Sequence, residues 1–325
     1  MKSTALAPSN IAFIKYWGRK DEELRLPENG SISMCLSDLT TTTTVEFDKK
    51  YKEDEIIINN VTEPTEGSKA VKHLDRVRKH AGITTKAKVV TKNNFPTGTG
   101  LSSSASGFAA LTVAASKAAG LNLSEKELSI FARQGSGSAC RSIPHGFVEW
   151  LDGDTSETSY AYSLYPSDYW NIVDVVAVVS TGRKDISTSE GQKLVGTSPF
   201  FPIRKARINE KIKTCKELLA KKDFTRFGEL IEAEALELHA IMLTSSPSLI
   251  YWTPGTLEIM KLVKKWRTKG LECYFTINTG QDIHLIVQEK DMNRLQKLLQ
   301  ELEYVKNVII NRPADGVHLT NQHLF

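Results

Sequence analysis

Hydrophobic and polar positions are arranged differently in the two halves of the chain. In the first third, Thr40 to Phe47 is a threonine run closing on Val45-Glu46-Phe47, Glu55 to Val61 carries isoleucines, and Lys86 to Val90 repeats the β-branched bias. Such side chains are stiff at χ1 and pack well on a pleated surface, so all three segments predict strands. Between them Val71, Leu74 and Val77 recur at helical spacing, which predicts a helix from about Ser68 to His80. A long helix of small residues follows through Phe108, Leu111, Ala115 and Ala119, and Gly120 stops it. Ser124, with Glu127 three residues on, forms a capping box, so a further helix opens there and runs to about Arg133.

The second half has another texture. Ile172 to Val179 reads as a buried strand, and a polar stretch follows. Helices are then expected over about Arg204 to Ala220, Phe224 to Leu243 and Gly255 to Thr268; in the second of these Phe227, Leu230, Ile231, Ala235, Leu238 and Met242 share one face. Strands at Cys273 to Ile277 and Ile283 to Val287, a helix at Asp291 to Glu303 and a closing strand at Val305 to Ile310 make a β-α-β-like unit. The expected class is α/β (α+β), with the boundary in the polar stretch near 181–190 and domains at 1–185 and 186–325.

Composition narrows the function classes. The 325 residues are 40% hydrophobic and 25% charged, too apolar for a disordered chain. Lys+Arg 42 against Asp+Glu 38 leaves +4, a mild surplus that requires no nucleic-acid partner. No apolar run reaches the roughly 18 residues that span a bilayer, and Met1-Lys2-Ser3-Thr4 lacks the apolar core of a signal, so a cytoplasmic setting without membrane contact is expected. Cys35, Cys140, Cys215 and Cys273 are far apart, and the histidines show no ligand spacing; no direct metal ligand is expected.

Three segments carry candidate chemistry. Pro96-Thr97-Gly98-Thr99-Gly100-Leu101-Ser102-Ser103-Ser104 lies after a strand and opens a helix. Its glycines let backbone amides approach an anion, and its serines add hydroxyl donors. It is neither a Walker loop nor a dinucleotide fingerprint. A second loop, Gly135-Ser136-Gly137-Ser138-Ala139-Cys140-Arg141-Ser142, adds an arginine able to grip a carboxylate or phosphate with two parallel bonds. In the third, Lys15 sits in an apolar strand ahead of Tyr16 and Trp17, where a lysine needs an anionic partner or a path to water.

Taken in order, these segments resemble the decarboxylating branch of the GHMP kinase family, the diphosphomevalonate decarboxylases. The resemblance rests on Asn10-Ile11-Ala12 with Lys15-Tyr16-Trp17-Gly18, Leu26-Pro27 with Ser31-Ile32-Ser33, Asn93-Asn94-Phe95-Pro96-Thr97, Ser136 to Arg141, and Lys184 to Gly191. It implies a ribosomal-protein-S5-like N-terminal domain with a ferredoxin-like C-terminal domain. It also implies a reaction that uses ATP and Mg2+ to phosphorylate the tertiary hydroxyl of a 5-phosphorylated mevalonate, followed by loss of phosphate and carbon dioxide. By resemblance Lys15 and Arg141 serve the reacting end, and Ser104 serves the ATP phosphates or the transferred group. Asn93, Pro96, Gly98, Gly100, Leu101, Ser102 and Ser103 are expected around the nucleotide. Tyr16, Trp17, Gly18, Arg19, Ser136, Gly137, Ser138, Ala139, Cys140 and Ser189 are expected around the substrate's phosphate tail and carboxylate. The implied partners are these small molecules, and a homodimer stays open.

Two departures bear on mechanism. The family usually has an aspartate, in a pattern like Thr-x-Asp-Ala-Gly-Pro-Asn, that orients or deprotonates the hydroxyl. Here Thr276-Ile277-Asn278-Thr279-Gly280-Gln281-Asp282 exchanges acid and amide, and an amide is no base at neutral pH. If Gly280 opens a helix, Asp282 lies about one turn beyond Asn278 and is the candidate base. Second, the family arginine for the distal phosphate is expected near the head of the helix before Lys86, where Glu66, Lys69 and Lys72 stand instead. Fewer cations there favour a monophosphate, so 5-phosphomevalonate is an alternative substrate. Arg19 stands where a lysine is usual. The exchanged pair also admits a kinase that does not decarboxylate, an ATP-independent decarboxylase, or a non-catalytic ligand-binding homologue.

Overall fold

The computed structural model describes residues 1–95, 100–180, 182 and 186–325. Its strands are β1 (Lys2–Ile14), β2 (Arg19–Asp21), β3 (Leu26–Pro27), β4 (Ser31–Phe47), β5 (Glu55–Ile58), β6 (Val61–Glu63), β7 (Ala87–Asn93), β8 (Phe147–Trp150), β9 (Ala161–Tyr165), β10 (Ile172–Val178), β11 (Cys273–Thr276), β12 (Ile283–Gln288), β13 (Asn307–Asn311) and β14 (His318–Thr320). The helices are α1 (Lys69–Ala81), α2 (Ser103–Ala118), α3 (Glu125–Gly135), α4 (Thr188–Lys193), α5 (Phe201–Lys221), α6 (Phe224–Leu243), α7 (Pro254–Thr268) and α8 (Glu289–Gln300). The capping box at Ser124 and Glu127 opens α3 as its spacing implies.

Two sheets organise the chain. The larger runs β14-β1-β4-β7-β5-β6, with β8 joined to the first residues of β4 and β9 joined to β8. Its one parallel pair, β5 with β7, is connected through α1, as a parallel crossover requires. The smaller sheet runs β11-β12-β10-β13 and is antiparallel throughout. The strand β10 therefore pairs in the second sheet, and the division between sheets falls after β9 rather than near 181–190. The polar stretch follows β10 instead of separating the halves. The chain then returns to the first sheet through β14, which pairs with β1.

Small residues set how closely the helices sit. Ala109, Ala110, Ala114 and Ala118 of α2 pack on Ala5, Ala7 and Val45 of the large sheet. Its opposite face and the inner face of the small sheet share one cluster, in which Ile11, Phe13 and Met34 meet Val176, Tyr274, Ile286 and Phe227. The halves are thus joined by common apolar burial, and the seam between them positions the site.

At that seam lies a buried ion network. Glu234 of α6 is 1% exposed and accepts from Arg204 at 2.5 and 3.0 Å, from Lys211 at 3.1 Å and from the Lys15 backbone N–H at 3.0 Å. Burial alone would raise the Glu234 carboxyl; Arg204 and then Lys211 outweigh it and hold the pKa low. Replacing Glu234 with leucine leaves the buried Arg204 guanidinium with the half-buried Glu237 and the Lys15 carbonyl as its remaining partners, so the variant should lose about 3 kcal/mol in urea denaturation. Adding Arg204→Met should recover most of that loss; a single variant as stable as the wild type would contradict the network.

Candidate active site

Lys15 follows the last residue of β1, and the backbone there is fixed from three sides. Its carbonyl accepts from Asn29 and from Arg204, each at 2.9 Å, while its N–H donates to Glu234. The ammonium, on a residue 2% exposed, donates to the Ala12 carbonyl at 2.7 Å and to Asn278 Oδ1 at 3.1 Å. Burial lowers the Lys15 pKa well below the ordinary lysine value, and Glu234 opposes that only in part. Register shifts along β1 between Pro8 and Asn10, and between Ala12 and Ile14, mark the kinks that re-aim its side chains. Ser9 Oγ donates to the Leu101 carbonyl at 2.7 Å, and Asn10 Nδ2 donates to the Ser138 carbonyl at 3.2 Å. One strand therefore anchors all three candidate segments.

The loop between β11 and β12 carries Asn278 across to the first domain. Its Nδ2 donates to Ser102 Oγ at 3.1 Å, and its carbonyl accepts from His239 Nε2 at 3.0 Å. Gly100, at φ +117°, makes the crossing possible: a Cβ there would lie 2.6 Å from Gly280 Cα. Gly280 lies in a bend and opens no helix. Asp282 is consequently not one turn on from Asn278. It is 3% exposed, does not line the cleft, and accepts from the Val179 N–H at 3.0 Å. Expectation and structure differ here because the chain goes straight into β12, where Asp282 ties that strand's start to the end of β10.

Arg141 lies in a 3-10 helix over Gly137–Ser142 and is 4% exposed. It donates to Ser31 Oγ at 2.9 Å and to Asn10 Oδ1 at 3.1 and 3.3 Å, and it stacks over Trp150. These partners are neutral, so its charge is left uncompensated. Gly137 allows the Tyr16 ring to lie against this helix, since a Cβ would come within 2.8 Å of Tyr16 Cε1.

At the other end, Arg19 donates to Tyr16 Oη at 2.9 Å and to the exposed Glu22 at 2.6 Å. Arg25 donates through Nε to the Gln134 carbonyl at 3.0 Å. Lys69, the first residue of α1, donates to Ser189 Oγ at 3.2 Å and so bridges to α4. Gln192 of α4 holds the Gly18 N–H at 2.6 Å.

These groups line one cleft of about 270 Å³. Lys15, Ser104, Arg141 and Asn278 open onto it together with Tyr16, Arg19, Ser136, Gly137, Ser138, Ser189, Gly100, Ser102 and Ser103. Other candidates do not reach it. Trp17, Ala139, Cys140 and Leu101 are buried in apolar clusters behind the wall. Asn93 lies at the end of β7 and accepts from Thr41. Gly18 contributes only through Gln192, and Pro96 and Gly98 lie outside the described residues. Sequence pattern did not single out Arg25 or His239. Among the described lining residues five are cations, Lys15, Arg19, Arg25, Lys69 and Arg141, and none is a carboxylate.

The full chain resembles known proteins along the same lines. The family model for the diphosphomevalonate decarboxylase-like N-terminal domain matches residues 7–161, and that for the mevalonate 5-diphosphate decarboxylase C-terminal domain matches 174–317. The chain belongs to the diphosphomevalonate decarboxylase family. The diphosphomevalonate decarboxylase of Candida albicans is 35% identical over 91% of this chain and 87% of its own length. A phosphomevalonate decarboxylase from Haloferax volcanii is 31% identical over 93% of each. The solved structure of MDDEF in complex with MVAPP, AMPPCP and magnesium superposes with a TM-score of 0.92 at 39% identity, covering 98% of this chain and 99% of that one. The fold is thus the GHMP kinase fold implied by the motifs.

Magnesium fits this family site only in one manner. Among the described residues no group of three His, Cys, Asp or Glu is placed to hold a metal, and the cleft offers the hydroxyls of Ser102, Ser103 and Ser104 without a carboxylate. A magnesium ion would be carried on nucleotide phosphates, with those hydroxyls as nearby oxygens.

His239 is held neutral: burial pushes its pKa down to about 3, as it does for His73. An imidazole that ionises at about 3 when folded and at 6.5 when unfolded gains its proton on unfolding. Stability should therefore fall as the pH drops from 6.5 towards 3. His239→Asn should make that acid limb shallower by about one proton, roughly 1.4 kcal/mol per pH unit. An unchanged slope in urea midpoints against pH would contradict neutral burial.

Proposed function

We propose that this protein is an ATP-dependent carboxy-lyase that converts diphosphomevalonate to isopentenyl diphosphate. The observation that carries the reading is the joining of five uncompensated or weakly paired cations with an amide- and hydroxyl-lined loop in one cleft whose described lining residues include no carboxylate. Such a site suits two polyanions held side by side, as transfer of a phosphoryl group between them requires.

In this reading the nucleotide's phosphates lie over Gly100 and Ser102 to Ser104 at the head of α2, where the first backbone N–H groups of a helix lack intrahelical acceptors. The substrate's phosphate tail lies towards Tyr16, Arg19 and Ser189, and its carboxylate and tertiary oxygen towards Arg141, Ser138 and Lys15. The tertiary oxygen attacks the terminal phosphorus, ADP leaves, and the hydroxyl proton passes to an oxygen of the transferred phosphate and from there to water. The tertiary carbon's own C–O bond to the phosphorylated oxygen then breaks with both electrons on the leaving phosphate, while the C–C bond to the carboxylate supplies the pair that forms the alkene and releases carbon dioxide. Magnesium supplies charge neutralisation among the phosphates. Lys15 and Arg141, already stripped of water, stabilise the charge that builds on the departing phosphate.

Asn278 cannot take the proton. Its Oδ1 accepts from Lys15 and its Nδ2 donates to Ser102, so its part is to orient the ammonium against the nucleotide loop. Phosphoryl transfer through a loose transition state depends more on positioning and electrostatics than on early proton removal, which makes an amide workable there. The same residue favours a second reading, a homologue that has lost one step.

Separate measurement of ADP, phosphate and carbon dioxide with diphosphomevalonate and magnesium-ATP distinguishes these readings. Equal amounts of all three are expected; ADP without carbon dioxide would leave a kinase, and none of the three would leave a binding protein. Lys15→Ala should lower turnover by about a hundred- to a thousandfold while keeping the affinity for an ATP analogue within about threefold. Unimpaired turnover in that variant would remove Lys15 from the reacting end.

A further inference from the structure

Three of the cations lining the cleft, Arg19, Arg25 and Lys69, gather near one another. Arg19 is occupied by Tyr16 and Glu22. Arg25 is not: its Nε is tied to the Gln134 carbonyl, and among the described residues its two terminal nitrogens have no protein partner and no carboxylate within ion-pair distance. Lys69 meets only the hydroxyl of Ser189. Burial first, and then Arg25 and Arg19, push Lys69 below the ordinary lysine value, so the three crowd one another.

The backbone adds a second observation. Arg25 stands just before β3 at φ 52°, a left-handed conformation that glycine or asparagine adopts more readily. An arginine is held at a position whose geometry does not call for one, with its guanidinium facing the cleft. Resting on the function proposed above, we propose that Arg25, assisted by Lys69, grips the terminal phosphate of the substrate's tail and makes the site selective for a diphosphate over a monophosphate.

Charge supports the choice. A monophosphate brings about −1.5 to −2 at neutral pH, which Lys69 and Arg19 match once Arg19 exchanges the exposed Glu22 for the phosphate. A second phosphate adds the charge that the free fork of Arg25 is shaped to take with two parallel bonds. The lysines and glutamate at the head of α1 thus understate the tail site, because its arginine comes from the turn between β2 and β3.

The test is calorimetric titration of isopentenyl diphosphate and isopentenyl phosphate into the full chain and into Arg25→Asn, whose asparagine tolerates the left-handed turn. The wild type should bind the diphosphate at least about tenfold more tightly, as expected of one charge-assisted pair. Arg25→Asn should erase most of that preference and leave the monophosphate within about twofold, and Arg25→Lys should restore part of it. Lys69→Met gives the same comparison should the turn not accept asparagine. A preference left intact in Arg25→Asn, an equal loss on both probes, or no preference in the wild type overturns the assignment. Binding of neither probe to the wild type would count against the proposed function as well, whereas binding of both with an unaltered ratio sinks only Arg25.

Discussion

The rest of the site depends on how Glu234 spends its charge. It is the carboxylate held against Lys15, and it faces the backbone of that residue and the guanidinium of Arg204 rather than the ammonium. Lys15 is left with a carbonyl and an amide as partners. A cation in that position is desolvated without being neutralised, and an entering phosphate meets a field that water would otherwise screen. Arg141 repeats the arrangement with Asn10 and Ser31. The cleft stores attraction for anions because the folded chain supplies neutral dipoles where a stabilising ion pair would be simpler.

Assembly of the cleft requires both sheets. Lys15 comes from the end of β1 and Asn278 from beyond β11, and the loop of Asn278 lies against the loop before α2 because Gly100 and Gly280 leave room for the two backbones. His239, neutral and stacked on Trp252, fixes the carbonyl of Asn278 from α6. Lys69 and Ser189 close the far end between α1 and α4. The shared apolar cluster between the sheets gives these contacts a rigid frame, so a change in inter-sheet packing would alter the site without touching a lining residue.

Most elements with strong periodicity are legible in the sequence itself. The face of α6 and the capping box of α3 follow directly from spacing and local hydrogen bonding. Sheet membership was not: β10 has the same apolar run whichever sheet receives it, and only its pairing with β12 and β13 assigns it. The same limit applies to Asp282. Sequence proximity to Asn278 suggested a shared helix turn, but the chain enters β12 there and points the carboxylate at Val179. Arg25 could not be weighed from its neighbours, because its relevance arises from the distance between a hairpin turn, α1 and α4 in space. Lys15 and Arg141 were legible because each breaks an apolar or small-residue pattern, and a charge in such a place needs a reason.

The central claim is that one cleft holds two polyanions at once. Its most direct test is titration of a non-hydrolysable ATP analogue with magnesium into protein already saturated with diphosphomevalonate. The account predicts a ternary complex with one nucleotide per chain. Mutually exclusive binding, with the nucleotide displacing the diphosphate, would contradict it.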